Sequence, residues 1–186
     1  MVLTETPVCD FGKKAIDFNL RGTDENMWSL SDCIGEKGLL IMFICNHCPY
    51  VKSIQNRLVE DTRKLIDIGI NSVAIMSNDS TDYPEDSFEN MQKAADEFNY
   101  PFPYLIDNTQ EIAKAYDAVC TPDFFGYNAS LELQYRGRLD ASGMKQPKKE
   151  LRRDLLEAMT TIAENGRGPK EQIPSMGCSI KWISTR

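Results

Sequence analysis

The chain has 186 residues, of which 41% are hydrophobic and 26% charged, values typical of a globular protein rather than of a disordered or membrane-spanning one. Its net charge of -7 argues against nucleic acid or an anionic membrane surface as a partner, because both require clusters of basic side chains. No linker-like stretch divides the sequence, so we expect a single domain over residues 1–186.

The first residues, MVLTETPVCDFG, carry neither a basic start nor an apolar segment, so we expect no secretory signal. The longest apolar run is too short to cross a bilayer. We therefore expect a cytoplasmic location, where cysteines serve as catalytic or unbridged thiols more often than as a disulfide framework. The six cysteines are Cys9, Cys33, Cys45, Cys48, Cys120 and Cys178.

The N-terminal region is predicted to form a strand pair. Residues 15–20 alternate between apolar and polar side chains, and residues 27–30 follow a polar turn. Cys9 and Cys33 lie in these peripheral stretches without a partner motif, so we expect both to be non-catalytic.

Residues 39–44, LLIMFI, form an apolar run without polar alternation, which predicts an interior strand covered on both faces. Beyond Pro49, apolar residues recur at the spacing of one helical face. Cys45 is therefore predicted to lie near a helix N-terminus, where the helix dipole favours thiolate over thiol.

The segment CNHC contains a C-x-x-C pair, which can cycle between dithiol and disulfide. Cys45 would attack a substrate disulfide, and Cys48 would then resolve the mixed disulfide. His47, the only histidine, would stabilise the Cys45 thiolate and lower its pKa. Two alternatives remain open: the pair could be half of a zinc site, which needs two further ligands, or two small buried apolar residues.

The later elements are predicted from the same kinds of pattern. A second buried strand at 72–77 would run parallel to the first, and the polar segment after it could bring Asp79 or Tyr83 to the site, although turns and caps explain these residues as well. Further predicted elements are a helix at 88–98, a strand at 104–106, a helix around 112–116, a hairpin over 119–135 and a helix at 148–165.

Five segments in order, ICNHCPYVK, SND with YPEDS, CTPDFF, YRGRLD and GCSIKW, resemble the thioredoxin-like superfamily, in its peroxiredoxin-like branch with a redoxin or AhpC/TSA domain. The resemblance implies an α/β thioredoxin-like fold. Its central mixed sheet, for which we expect four or five strands, would be flanked by helices, with an N-terminal strand extension and a C-terminal tail over 167–186 packed on the domain.

The resemblance also implies roles for particular residues. Cys45 aligns with the attacking cysteine, Cys48 with the resolving cysteine, and Pro122 with a cis-proline facing them. Thr121 would offer backbone groups to an extended substrate. No cofactor or metal is implied.

Two further cysteines are possible accessory thiols. The resemblance brings Cys120 close to the site, where it could be a spectator. Cys178 could be a further resolving thiol or a small residue packed beside Trp182, and the packed role is favoured.

One departure bears on the reaction. Peroxiredoxins carry P-x-x-x-T/S-x-x-C before the reactive cysteine, whereas this chain has Gly38 and Met42 at those positions, and no matching arginine is evident. The sequence therefore predicts a thiol-disulfide oxidoreductase that acts on a protein or small-molecule disulfide with an external thiol reductant. The alternatives are a hydroperoxide reductase using Cys45 and a non-enzymatic module in which Cys45, His47, Cys48 and a further cysteine hold a metal.

Overall fold

The structure, a computed structural model, describes residues 3–145 and 151–183. Its strands are β1 (Leu3–Glu5), β2 (Asn19–Gly22), β3 (Met27–Ser29), β4 (Gly38–Phe43), β5 (Ile70–Met76), β6 (Tyr104–Ile106), β7 (Cys120–Thr121), β8 (Asp123–Asn128), β9 (Leu133–Tyr135) and β10 (Met176–Ser179). Its helices are α1 (Leu30–Cys33), α2 (Pro49–Asp67), α3 (Phe88–Glu97), α4 (Glu111–Ala115) and α5 (Asp154–Asn165), with a 3-10 turn at Pro84–Asp86.

The central sheet is mixed, with strand order β3-β2-β6-β5-β4-β8-β9. Strands β4, β5 and β6 run parallel to one another, while β8 pairs antiparallel with β4 and β2 pairs antiparallel with β6. The expected four or five strands were too few, because the N-terminal pair β2–β3 joins the sheet through β6 instead of standing apart. The predicted mixed α/β architecture is confirmed.

Strand β4 is the sheet's interior strand, and all six of its residues are buried. Leu40 and Met42 face a core shared with α2, α3 and α5, whereas Leu39 and Ile41 face a core shared with α1 and α4. A strand that buries both faces needs no polar alternation, which is why the apolar run predicted it correctly.

A second, three-stranded sheet has the order β1-β10-β7. The chain leaves β7 through a cis peptide bond between Thr121 and Pro122 and continues directly into β8. The predicted hairpin is confirmed for β8 and β9. Its first residues, Cys120 and Thr121, belong instead to the second sheet.

The predicted helix at 148–165 begins later in the structure. Residues 151–153 are not helical and α5 starts at Asp154, while residues 148–150 lie outside the described residues. The helix ends before Gly166, which adopts the left-handed conformation (φ 72°) that glycine tolerates without steric cost. No helix in the described ranges combines the length and hydropathy needed to cross a bilayer.

Candidate active site

The C-x-x-C pair lies between the end of β4 and the start of α2. Cys48 is the N-cap of α2 and Pro49 its first residue, so Cys45 sits in the preceding loop. Both side chains are buried, Cys45 with 1% of its surface exposed and Cys48 with none. Thr121 of β7 and Cys178 of β10 contact the sulfurs, so the nucleophile that the sequence predicts is covered in this structure.

Thr121 faces both sulfurs of the pair. Its hydroxyl oxygen lies 3.2 Å from Cys45 Sγ, and its carbonyl oxygen lies 3.1 Å from Cys48 Sγ. The predicted cis bond before Pro122 is confirmed. Thr121 pairs with Cys178 of β10, which occupies one edge of β7, and the role of the Thr121 backbone in binding an extended substrate stays a prediction.

His47 is held by Asp86, a residue that the sequence analysis did not single out. Its Nδ1 atom lies 2.6 Å from Asp86 Oδ2 and 3.6 Å from Cys45 Sγ. Asp86 Oδ1 also accepts the backbone N–H groups of Asn46 and His47, and Oδ2 accepts an amide hydrogen from Asn78. The carboxylate thus fixes the loop that carries the cysteines.

Of the two residues considered in the polar segment, Tyr83 reaches the site. Its ring stacks on His47 with centroids 4.3 Å apart. Asp79 instead accepts hydrogen bonds from the backbone and hydroxyl of Thr81, the turn role expected for an aspartate in such a segment.

The pKa values of the two cysteines diverge. Burial raises the pKa of Cys45 well above its usual value, and hydrogen bonding to Cys48 and the negative charge of Asp86 raise it further. The pKa of Cys48 falls to about 4, chiefly because the Cys45 thiol donates a hydrogen bond to it. The expectation that Cys45 is the more acidic thiol is therefore wrong.

The position of the helix explains this reversal. Cys48 is the N-cap residue, and the nearby backbone N–H groups of Val51 and Cys178, together with the Cys178 thiol, favour its anion and lower its pKa. When protonated, the Cys48 thiol can donate to the Thr121 carbonyl oxygen or to Cys178 Sγ. Cys45 lies outside the helix and close to Asp86, so it keeps its proton.

The two accessory cysteines differ in their contacts. The Cys120 thiol is directed at the carbonyl of Pro122, 3.5 Å away, and burial raises its pKa. Cys178 is 1% exposed, as a packed role requires, but its sulfur lies 3.0 Å from Cys48 Sγ. Burial raises the pKa of Cys178 to about 12.

Cys45, His47 and Asp86 present possible metal-ligand atoms within 4.8 Å of one another. However, His47 Nδ1 and Asp86 Oδ2 are 2.6 Å apart, whereas two such ligands on a tetrahedral zinc ion would be separated by about 3.3 Å. Both Asp86 oxygens also accept protein hydrogen bonds. The group fits a hydrogen-bonded His47–Asp86 pair better than a zinc site.

A cavity of about 300 Å³ lies beside Pro122 and the first turns of α2, and neither Cys45 nor Cys48 lines it. Pro122 lies in its wall, as does Tyr50 from the first turn of α2. Apolar side chains such as Ile54 and Leu139 share the wall with the cationic Arg138.

The fold matches thioredoxin-like proteins. The chain covers 89% of the thioredoxin domain of a thiol-disulfide oxidoreductase from Bacteroides vulgatus with 70% of its own length (TM-score 0.57, 16% identity). It covers 94% of peroxidoxin BcpB from Mycobacterium tuberculosis with 84% of its length (TM-score 0.58, 13% identity). At these identities the likeness establishes the fold alone, and it confirms the predicted thioredoxin-like class.

The chain belongs to the AhpC/TSA family, whose sequence profile matches residues 11–142. An uncharacterized conserved protein from Geobacillus kaustophilus is similar over 100% of this chain and 99% of its own, with 45% identity and a TM-score of 0.93. No match was found among curated proteins. The family predicted from the motifs is thereby confirmed.

Proposed function

We propose that the protein is a thiol-disulfide oxidoreductase whose Cys45 and Cys48 alternate between dithiol and disulfide. Its family consists of thiol-based oxidoreductases, and one observation carries the proposal to this chain. Cys48 is the N-cap of α2 and Cys45 lies in the preceding loop, and Thr121, the residue before the cis bond, faces both sulfurs, with its hydroxyl 3.2 Å from Cys45 Sγ and its carbonyl oxygen 3.1 Å from Cys48 Sγ. The lowered pKa of Cys48 supports a thiolate on that residue in the reduced pair at neutral pH.

In the proposed reaction the Cys48 thiolate accepts the Cys45 proton as Cys45 Sγ attacks a substrate disulfide. A bond forms between Cys45 and one substrate sulfur, and the other sulfur leaves with the electron pair of the broken bond. Cys48 then passes its proton to that leaving thiolate and attacks Cys45, so that the second substrate sulfur leaves as a thiolate with the electron pair of the mixed disulfide and takes a proton from solvent. The substrate is reduced to two thiols, and the pair is oxidised to a disulfide that an external thiol reductant reverses.

His47 tunes Cys45 through Asp86 in this proposal. The Asp86 charge raises the pKa of Cys45, and the His47 hydrogen bond to the same carboxylate offsets that charge. His47 thus limits the cost of forming the Cys45 thiolate during attack, as a positioning residue and not as the proton acceptor.

The substrate is proposed to be a protein or small-molecule disulfide that enters through the cavity beside Pro122. The wall contributed by Tyr50 and Ile54 suits the carbon chain next to a sulfur. The proposed location is the cytoplasm, where low-molecular-weight and protein thiols supply reducing equivalents.

Hydroperoxide reduction is the second candidate, and one observation favours it. The Thr121 hydroxyl lies 3.2 Å from Cys45 Sγ and supplies a polar group that Met42 cannot. Against it, the sulfur that would attack peroxide is protonated, because burial raises the pKa of Cys45. Disulfide exchange is preferred because the proton on Cys45 has an acceptor in Cys48.

Stopped-flow mixing of the reduced protein with a model disulfide and, separately, with hydrogen peroxide tests the proposal. Wild type should reduce the disulfide over repeated turnovers when thiol reductant is supplied. Cys48→Ser lacks both the proton acceptor and the resolving sulfur, so it should react slowly and stop at a mixed disulfide on Cys45. Cys45→Ser should not turn over, whereas Cys33→Ser, a change in the other core, should react like wild type.

Fast peroxide consumption without any reaction toward disulfides would replace the proposal with the hydroperoxide candidate. Retention of one zinc ion per chain through dialysis, abolished by His47→Ala, would instead favour the metal-binding module.

A further inference from the structure

Strand β10 pairs with β7, the strand that contains Thr121, and places a third sulfur, that of Cys178, at the site. Its register places Cys178 opposite Thr121, with Gly177 next to it where only a residue without a side chain fits. Cys178 Sγ lies 3.0 Å from Cys48 Sγ, and both sulfurs share one buried core with Cys45. Cys48 therefore follows one cysteine of the site by three residues and contacts another from the C-terminal strand.

We propose that Cys178 is a third redox thiol of this site, which exchanges with Cys45 for a disulfide bond to Cys48. The proposal rests on the proposed function, because it begins from the Cys45–Cys48 disulfide. Cys178 Sγ attacks Cys48 Sγ, the Cys48–Cys178 bond forms, and the Cys45–Cys48 bond breaks with its electron pair on Cys45. The Cys178 proton ends on Cys45, so one disulfide and one thiol exist before and after.

The distance between Cys178 Sγ and Cys48 Sγ means that this exchange requires only a small movement. A disulfide bond is about 2.05 Å long, so the two sulfurs need to approach by only about 1 Å. The Cys178 and Cys48 side chains already point at one another, and the pairing of β10 with β7 fixes the direction of Cys178.

The energetics leave both disulfides accessible. Exchange equilibria depend on the acidity of the thiol that each disulfide releases. Burial raises the pKa of both end thiols, Cys45 and Cys178, so neither is the strongly preferred leaving group. The central sulfur, Cys48, belongs to both disulfides and does not bias the choice.

Exchange would change what the oxidised protein can do. A Cys48–Cys178 bond ties β10 to the start of α2 and returns Cys45 to the thiol form. Cys120 cannot substitute, because its thiol is directed at the Pro122 carbonyl and not at Cys48.

The test is disulfide mapping of the full chain after oxidation with one equivalent of diamide, alkylation of remaining thiols and mass spectrometry without reduction. Oxidised wild type should contain both Cys45–Cys48 and Cys48–Cys178. Cys45→Ser should form Cys48–Cys178 with a loss of about 2 Da, as expected for one disulfide. Cys48→Ser should leave Cys178 fully alkylated.

Adding Cys120→Ser to Cys45→Ser is the matched control, because Cys120 is an equally buried cysteine on the strand beside β10, and it should leave the Cys48–Cys178 yield unchanged. Fully alkylated Cys178 in oxidised wild type, or in oxidised Cys45→Ser with a native circular dichroism spectrum, would overturn the inference. Failure of wild type to form Cys45–Cys48 would instead overturn the proposed function, so the two failures are distinguishable.

Discussion

At the scale of single residues, Asp86 decides the electrostatics of the site. Burial alone would raise the pKa of this carboxyl, yet hydrogen bonds from His47, Asn78 and the loop backbone hold it below its usual value. The same charge opposes ionisation of Cys45. One carboxylate therefore stabilises the loop and restrains its first thiol.

Replacing this carboxylate separates the two effects. Asp86→Asn should lower the pKa of Cys45, because a negative charge beside the thiolate is removed, and should cost roughly 1–3 kcal/mol of folding free energy through lost hydrogen bonds. The pH profile of Cys45 alkylation and urea denaturation measure these changes. Since the folded pKa of Asp86 is lowered, its contribution is present above about pH 4 and is lost as the pH falls through the folded pKa.

Asp82→Asn is the matched control, an exposed aspartate of the same polar segment, and it should change neither quantity. An unchanged Cys45 pKa in Asp86→Asn would show that burial alone keeps this thiol protonated.

The residues of the pair could be found from the sequence, but their acidity could not. The C-x-x-C spacing and the single histidine identify Cys45, Cys48 and His47 without a structure. The order of the pKa values depends on the helix beginning at Pro49 and on Asp86 approaching from a distant loop. In the sequence, nothing distinguishes Asp86 from Asp82 or Glu85.

At the scale of elements, local patterns predicted β4 and α2 well, because burial on both faces and helical periodicity each produce a recognisable pattern in neighbouring residues of the sequence. The second sheet was missed for the opposite reason. It pairs β10 with β1 and with the two residues of β7, all far apart in sequence and too short to show alternation. The closed dithiol follows from this pairing, so its burial could not be predicted either.

The packing of β10 over the two buried sulfurs can be loosened at one position, Gly177. A side-chain carbon at Gly177 would lie 2.1 Å from the Thr121 carbonyl oxygen, so Gly177→Ala must push β10 away from β7. Overpacking of this kind costs about 1–3 kcal/mol, which corresponds to an increase of about 5- to 160-fold in the population of the exposed state. The alkylation rates of Cys45 and Cys48 in the native protein should rise accordingly.

Ser179→Ala, in the same strand, keeps the backbone pairing with Cys120 and should leave the alkylation rates near those of wild type. If Gly177→Ala left them unchanged, the sulfurs would be reached by a path that does not involve β10.

At the scale of the whole molecule, the order of elements was enough to predict a mixed sheet covered by helices, but not its size. Strand β2 pairs with β6, across more than eighty residues of chain, and a pairing of that range leaves no local signature. The core is divided by the sheet, and the cysteine pair lies on the side that holds α2 and α5. Disulfide formation in the pair would therefore affect the packing of the core on that side of the sheet.

The charge on Cys48 should make the stability of the reduced protein depend on pH. Its pKa is about 4 when folded and about 8.5 in an unfolded chain. A lowered pKa contributes stability that is fully present above about pH 8.5 and is lost as the pH falls toward 4. Above about pH 8.5 the raised pKa values of Cys45 and Cys178 act in the opposite direction, because these thiols ionise more readily when unfolded.

The oxidised protein has no titrating thiol at Cys48, so the difference between the two forms isolates this contribution. The free energies of unfolding of reduced and oxidised wild type can be measured by urea denaturation at pH 5, 6, 7 and 8. The value for the reduced form should rise relative to that for the oxidised form at each step, by at most about 1.4 kcal/mol per pH unit. Carboxylates such as Asp86 titrate in both forms and largely cancel in the difference. A stabilised thiolate also makes the disulfide oxidising, so equilibration with glutathione should give a potential of about -200 mV or less negative. A difference that stays flat from pH 5 to 8 would mean that Cys48 keeps its proton, and Cys45 would then have no thiolate to which it could pass its own.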